Sequence, residues 1–510
     1  MPHSRTLRLV QYAIFGYVSV SVIYTSSFLL ASSIGSTILS LLGTTTVPTE
    51  NYTTISNLRP RVDLITRARH ILEAQRRSEA LAWTVDSSSD LVYWTLPDID
   101  NADSLVNEDT VPTLEDTFLS KAFAQALHPT RLIPFYYKAT SVVDQDDVTI
   151  TTLVTSNRYK VLKQLVERYQ GPVSVTIHIP LPPDGSNNAT TTNEFISAVN
   201  DLEELYASSS YFSTYVDVHL ALSPFTNISK SKTGTTEGGR QFNVWRNVAR
   251  LFARSEFVMM LDVDFAVCTD WRSKVRDAVA GRTESAGGEL LSPRSSKNET
   301  LRREVFEKLR AGTAALVLPA FEYAKQEDGV DQTTFPQDKQ SLVRLAAGRK
   351  PKITMFHASW APGHNSTDYP KYLALPAGAD EVYKVTTYQS AYEPYVIMSK
   401  RVSWCDERFT GYGGNKAACL FEIYLSGVSF YVMSDHFLIH QSHRYEEEAR
   451  REEACFFNRV YETEEACLRY LYYFHATGML QSTLASNAKE ECRKSKSVAR
   501  LAMELLGDIN

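Results

Sequence analysis

Asp262 and Asp264 stand one residue apart at the end of an apolar run, FVMMLDVDF over 257–265. An unpaired carboxylate is costly to bury, so two of them in such a run call for a counter-charge. Residues i and i+2 of a strand point to one side, which predicts that the two carboxylates converge while Val263 and Phe265 face the core. Convergent hard oxygens suit Mg²⁺ or Mn²⁺, and the carboxyl end of a central strand is where open α/β sheets bind ligands. Spacing alone does not single out this pair. Asp98-Ile-Asp100 and Asp144-Gln-Asp146 share the pattern in polar surroundings and carry no such expectation.

The elements around the pair must hold it in place. Residues 147–180 read as strand, turn, amphipathic helix and second strand, a βαβ unit. STYVDVHLAL (213–222) predicts a third strand, and FNVWRNVARLFARSE (242–256) a helix that leads into the aspartate strand. A helix over 301–311 and the strand TAALVLPAF follow a polar insertion at 281–300. Strands alternating with helices predict an α/β fold, a mostly parallel sheet with helices on both faces. Residues 445–510 are charged and helical in pattern, a C-terminal cap.

The chain has 510 residues and a net charge of −6, which gives no electrostatic reason to expect nucleic acid as a partner. After Arg5 and Arg8, residues 9–49 carry no charge, and the apolar run exceeds the ~20 residues that span a bilayer. The positive-inside rule then puts the tail in the cytosol and the rest in the lumen. A cleaved signal peptide is the alternative, and both readings deliver the secretory pathway. Sequons at Asn51, Asn188, Asn227, Asn298 and Asn365 and an even set of cysteines (268, 405, 419, 455, 467, 492) agree with that compartment; the pairing is not readable from spacing. The expected organisation is a cytosolic tail (1–8), a transmembrane anchor region (9–43), a stem or lead-in (44–145), the α/β domain (146–445) and a helical extension (446–510).

RNVARLFARSEFVMMLDVDF, LPAFEY, FPQDKQSLVRL, FHASWAPGHNSTDY, YEPYVIMSK, CDERFTGYGGNKAACLFEIYLSGVSFYVM and HFLIHQSH occur in order between about 147 and 443. Together they resemble glycosyltransferase family 49, sugar-nucleotide-dependent enzymes of the GT-A fold that include LARGE-type glucuronyltransferase domains. The resemblance implies a UDP-sugar donor, Mn²⁺ held by Asp262, Asp264 and His440, and a glycan or glycoprotein acceptor. His443 is a second candidate for the histidine ligand. Thr155, Ser156, Arg158, Arg246 and Asn247 fall where the family contacts the nucleotide. The resemblance also implies inversion at the anomeric carbon, which needs one general base. Asp406 or Glu407 of CDERFTGYGGNK is expected to supply it, with the other paired to Arg408. Gly411, Gly413 and Gly414 would let this loop approach the sugar, with Trp404 and Tyr412 as stacking candidates. His364 and Glu393 match polar positions of the family without an assigned role. The chain departs from the family at Tyr372, which replaces a Trp, and in FAVCTDWR after Asp264.

The class implies a single-pass type II protein of the Golgi membrane, held through its N-terminal helix. Two competing classes are a membrane-anchored glycan-binding protein on a degenerate transferase fold and a metal-dependent phosphohydrolase. Phosphohydrolases also end a strand in D-x-D, but on the first strand, whereas here the pair follows at least three.

Overall fold

The computed structural model describes residues 131–181, 189–224, 240–282, 293–409, 411, 413–443 and 461–506. The expected tail, anchor and most of the lead-in lie outside these residues. No described helix is long and apolar enough to cross a membrane.

Strand β1 (Arg131–Tyr137) is followed by β2 (Val148–Thr155), helix α1 (Tyr159–Tyr169) and β3 (Val173–Leu181). Helices α2 (Ala189–Ala207) and α3 (Ser210–Tyr215) lead to β4 (Val216–Pro224), then α4 (Phe242–Leu251), β5 (Phe257–Met260) and β6 (Phe265–Val267). Next come α5 (Trp271–Val279), α6 (Pro293–Arg310), β7 (Ala314–Leu318), β8 (Ala320–Tyr323), α7 (Lys339–Ala346) and β9 (Ile353–Met355). The rest is α8 (Tyr369–Ala374), β10 (Val382–Lys384), β11 (Tyr395–Ser399), α9 (Asn415–Leu425), β12 (Ser429–Met433), β13 (Leu438–His440), α10 (Tyr461–Ala476), α11 (Ser486–Cys492) and α12 (Lys496–Leu506).

The described strands form a large sheet of order β1-β4-β3-β2-β5-β11-β7-β12-β10 and a small one of order β6-β13-β8-β9. In the large sheet β2, β3, β4 and β5 are mutually parallel, and β12 is parallel to β7. Strand β11 runs against both β5 and β7 and joins the two parallel groups. This is a mixed α/β fold with a large, mostly parallel core sheet. Strand β1, within the segment expected to be lead-in, pairs antiparallel with β4 and covers that edge.

Local pattern explains most elements. Tyr159, Leu162, Leu165, Val166 and Tyr169 form one buried stripe of α1 at helical spacing. All four residues of β5 are buried, as a central strand covered on both faces requires. The expected single strand over 313–321 is in fact two. Pro319 has no N–H to donate to a ladder, and the chain changes sheets there, from β7 to β8. Helix α4 ends at Leu251, earlier than expected, and the apolar periodicity beyond it belongs to a turn.

Helices α10, α11 and α12 pack together, and α10 and α11 both lie against α9. A Cys467–Cys492 disulfide ties α10 to α11, and Cys405–Cys419 ties the loop before α9 to that helix. Closing a loop of this length removes about 3 kcal/mol of unfolded-chain entropy. Replacing Cys405 and Cys419 with serine is therefore expected to lower the urea midpoint by the equivalent of roughly 3 kcal/mol. An unchanged midpoint would show that the bond does not constrain the chain.

Candidate active site

Strand β5 stops at Met260, and residues 261–264 form a turn in which the Phe265 N–H donates to the Asp262 carbonyl at 3.2 Å. The small sheet begins at once, with Phe265 opposite His440 across β6 and β13. The Gln441 N–H donates to the Asp264 carbonyl at 2.8 Å and fixes the far side of the turn. This corrects the expectation that both aspartates share a strand face. The strand ends before either is reached, and a turn sends successive side chains in different directions.

Asp264 faces the small sheet. With His440 and His443 it forms a group whose ligand atoms all lie within 4.8 Å of one another. Asp264 Oδ1 is buried without a hydrogen bond, the kind of orphaned oxygen that a cation would satisfy. His440 is 5% exposed and packs against Phe265 and Phe356 at centroid distances of 5.1 and 4.8 Å. Burial pushes its pKa down to about 4, against the pull of Asp264, so the ring is neutral at pH 7 and able to ligate. Arg158 stands beside the group. It donates to His443 Nδ1 at 3.0 Å and lies 3.5 Å from Asp264 Oδ1. One carboxylate and two imidazoles suit Mn²⁺ or another borderline divalent ion.

Asp262 faces the other way. Its Oδ2 accepts from the Tyr395 hydroxyl at 2.9 Å and from Lys416 Nζ at 3.1 Å, while Arg246 Nη2 lies 3.7 Å from Oδ1. Burial alone would raise this carboxyl's pKa, but Lys416 first, then Arg246 and the Tyr395 hydrogen bond, hold it well below the usual range. The Lys416 ammonium sits 3.3 Å from the Tyr395 ring centroid. Its own pKa is lowered by burial despite Asp262 and Glu393. Lys416 and Tyr395 were not picked out from sequence. The only local signal for Lys416 is its place directly after a Gly-rich loop, at the start of α9.

The remaining predicted residues divide. Thr155 ends β2 and Ser156 opens the turn that follows, where Thr155 Oγ1 donates to Asn157 Oδ1 at 2.6 Å and Arg158 closes the turn. Asn243, Arg246, Asn247 and Arg250 fall at i, i+3, i+4 and i+7 on one face of α4, and that face grips the chain before α9. Asn247 Nδ2 donates to the Cys405 carbonyl at 2.8 Å and to Glu407 Oε1 at 2.9 Å, so Asn247 is engaged with this loop. Asn243 donates to the Asp406 carbonyl at 2.9 Å, Arg246 to Asn415 Oδ1 at 2.6 Å, and Arg250 to the Ser403 carbonyl at 2.8 Å.

Asp406 is 1% exposed, and Arg408 donates to it from its backbone N–H and its guanidinium, the shortest bond being 2.6 Å. The Arg408 partner expected for one of the two acids is therefore Asp406, and Glu407 turns toward α4. Trp404 is buried under Arg250, at 4.4 Å, as packing. Tyr372 is fully buried with its hydroxyl on the His436 carbonyl, a core position and not a subsite. Tyr412 lies outside the described residues. Gly411, Gly413 and Gly414 all take positive φ, at 79°, 89° and 75°, which explains the glycines of that loop.

A carboxylate–imidazole group at the carboxyl ends of parallel strands, flanked by an arginine and a charge-matched floor, can hold a divalent cation and an anionic ligand. The chain belongs to the family described as "Glycosyl-transferase for dystroglycan", whose sequence profile matches residues 147–472. This is the family expected from the order of the motifs. Xylosyl- and glucuronyltransferase LARGE1 of Danio rerio is 24% identical over 322 residues, 62% of this chain and 34% of that protein. LARGE2 of Rattus norvegicus is 25% identical over 301 residues, 58% of this chain and 34% of that protein. The chain thus spans about a third of the length of the curated relatives it matches. Among solved structures, S. aureus TarS 1–349 in complex with UDP-GlcNAc is similar at a TM-score of 0.30 and 12% identity, over 70% of this chain and 75% of that one.

The site makes a prediction about acid. Burial holds His364 at about 3, with Lys416 adding to the effect, and His440 at about 4, against ~6.5 for an unfolded chain. A depressed histidine contributes stability that is complete above pH 6.5 and is lost as pH falls toward the folded value, at most about 1.4 kcal/mol per unit each. The urea midpoint is expected to be level between pH 7 and 8 and to fall between 6.5 and 5. His364→Asn with His440→Asn should blunt that slope without removing it, because His178 and His219 are lowered as well, to about 4 and 3. Equal midpoints at pH 7 and pH 5 would refute the reading.

Proposed function

We propose that this chain is a metal-dependent, inverting glycosyltransferase of GT-A type. It moves glucuronate or a related sugar from a UDP-sugar to a hydroxyl of a glycan or glycoprotein. The observation that carries this reading is the Asp264–His440–His443 group with Arg158 against it, at the end of β2 and β5. The activity for which the relatives are named, xylosyl- and glucuronyltransferase, supports a pentose or uronic acid donor. The predicted lumenal topology and the two disulfides support a Golgi-resident, type II protein.

Asp264, His440 and His443 would hold the cation, which supplies Lewis-acid stabilisation of a departing diphosphate. Arg158 adds a fixed positive charge on the same side, and Thr155 and Ser156 border it at the end of β2. Asp262 belongs to the floor of the site. It keeps Lys416 and Arg246 oriented, so that these charges are in place before the sugar arrives and need no rearrangement in the transition state. Asp406 and Glu407 hold the loop: one is locked to Arg408, the other to Asn247.

The test is calorimetric titration of the full-length chain with UDP in the presence of Mn²⁺, followed by a donor screen read as UDP release. Binding that requires Mn²⁺ and drops at least tenfold in Asp264→Ala and in His440→Ala is the expected result. Absence of UDP binding at saturating Mn²⁺ would sink the transferase reading. Binding without turnover of any donor would favour the glycan-binding alternative.

A further inference from the structure

A cleft of 290 Å³ opens beside the Asp262 floor, between the residues before β11, the start of α9 and helix α10. That volume is at the small end of ligand pockets, enough for one or two sugar rings. Trp360 forms part of its wall and is 43% exposed, whereas Trp245, Trp271 and Trp404 are buried. The indole is seated by its own turn. The Trp360 N–H donates to the His357 carbonyl at 2.8 Å, and a Cβ at Gly363 would lie 3.2 Å from the ring, so glycine there keeps the ring in place. The Gly363 carbonyl in turn accepts the Glu393 N–H at 2.7 Å. The Glu393 backbone is thus tied to the turn that carries Trp360, and both residues line the cleft.

The cleft has three carboxylates on its wall. Asp406 is tied to Arg408 at 2.6 Å and Glu422 to Arg469 at 2.9 Å. Glu393 takes the Ala417 N–H at the start of α9, and its charge is balanced through Lys416 and Arg246, the same cations that hold Asp262. It therefore stands where the cleft meets the donor floor. We propose that this cleft seats the acceptor pyranoside with its apolar face on Trp360, and that Glu393 is the general base of the transfer. The acceptor oxygen bonds to the anomeric carbon as the bond from that carbon to the diphosphate oxygen breaks. UDP leaves with the electron pair, and the hydroxyl proton passes to the Glu393 carboxylate and then to solvent. Burial pushes this carboxyl up from its ordinary value, with Lys416 and then Arg246 pulling the other way, which makes it a better proton acceptor than an exposed glutamate.

The proposal rests on the transferase reading, and its test separates the two. The full-length chain with Mn²⁺ is assayed for UDP release from UDP-glucuronate and UDP-xylose, with a panel of aryl β-pyranosides as acceptors. Glu393→Gln keeps an oxygen for the Ala417 N–H, so the start of α9 stays capped. It is expected to lower kcat at least 100-fold with UDP affinity unchanged, and Glu393→Asp to recover part of the loss. Azide, which needs no deprotonation, should restore UDP release in Glu393→Ala but not accelerate the wild type. Trp360→Ala should raise the acceptor KM about tenfold with kcat near normal, and Trp360→Phe should restore much of it. Glu393→Gln turning over within threefold of wild type would overturn this assignment alone. A wild type that binds UDP yet releases none from any donor would overturn the transferase reading and this one with it.

Discussion

The Asp262 carboxylate is the constraint on which the site depends. It meets Lys416 from α9, Arg246 from α4 and the Tyr395 hydroxyl from β11 in one place, and so joins three elements. A partly buried charge network of this kind stabilises only when complete; with a partner removed, the remaining charge has lost its water and gained nothing. Lys416 shows the balance most clearly. It lies in the first turn of α9, where the helix end is itself positive, and without a carboxylate at 3.1 Å that position would repel it. Glu393, which takes a backbone N–H of the same turn, relieves the same excess of positive charge.

Among the described residues between β11 and α9 there is no helix or strand, yet the segment is held from several sides. One face of α4 supplies three polar side chains to it, Arg408 binds Asp406 from within, and Cys405–Cys419 closes it onto the helix that follows. Loops that carry function are useful only when a rigid scaffold positions them, and here the scaffold acts mainly through donors aimed at backbone carbonyls. Such bonds fix the path of the chain while leaving Asp406, Arg408 and Phe409 on the wall of the cleft. That explains why so polar a helix face is buried at all.

What could be read from sequence is local. The βαβ unit over 147–180 announces itself through a helical stripe between two alternating strands, and the structure has β2, α1 and β3 there. Asp264, His440 and Arg158 each end or closely follow an apolar segment of the sequence, and the structure brings the three together. The end of β5 was not legible, since Leu261 is as apolar as the residues before it and only pairing geometry stops the strand at Met260. Lys416 was hidden for another reason. Its partner is 154 positions away, and no spacing rule reaches that far. The choice between Asp406 and Glu407 was open for the same reason, because α4 decides which way each points.

The division of labour between the two aspartates follows from that early strand end. Had β5 continued to Asp264, both carboxylates would have lain on one face, about 7 Å apart along the strand, and one cation would have had to serve both. The turn separates them. Asp264 is left with two imidazoles and an arginine, suited to a cation and a diphosphate, and Asp262 with an ammonium and a guanidinium beside the cleft. On the proposed reading, the charged diphosphate and the hydroxylated ring of a sugar nucleotide would each meet one of these two kinds of surroundings. A turn of four residues between two sheets places them side by side.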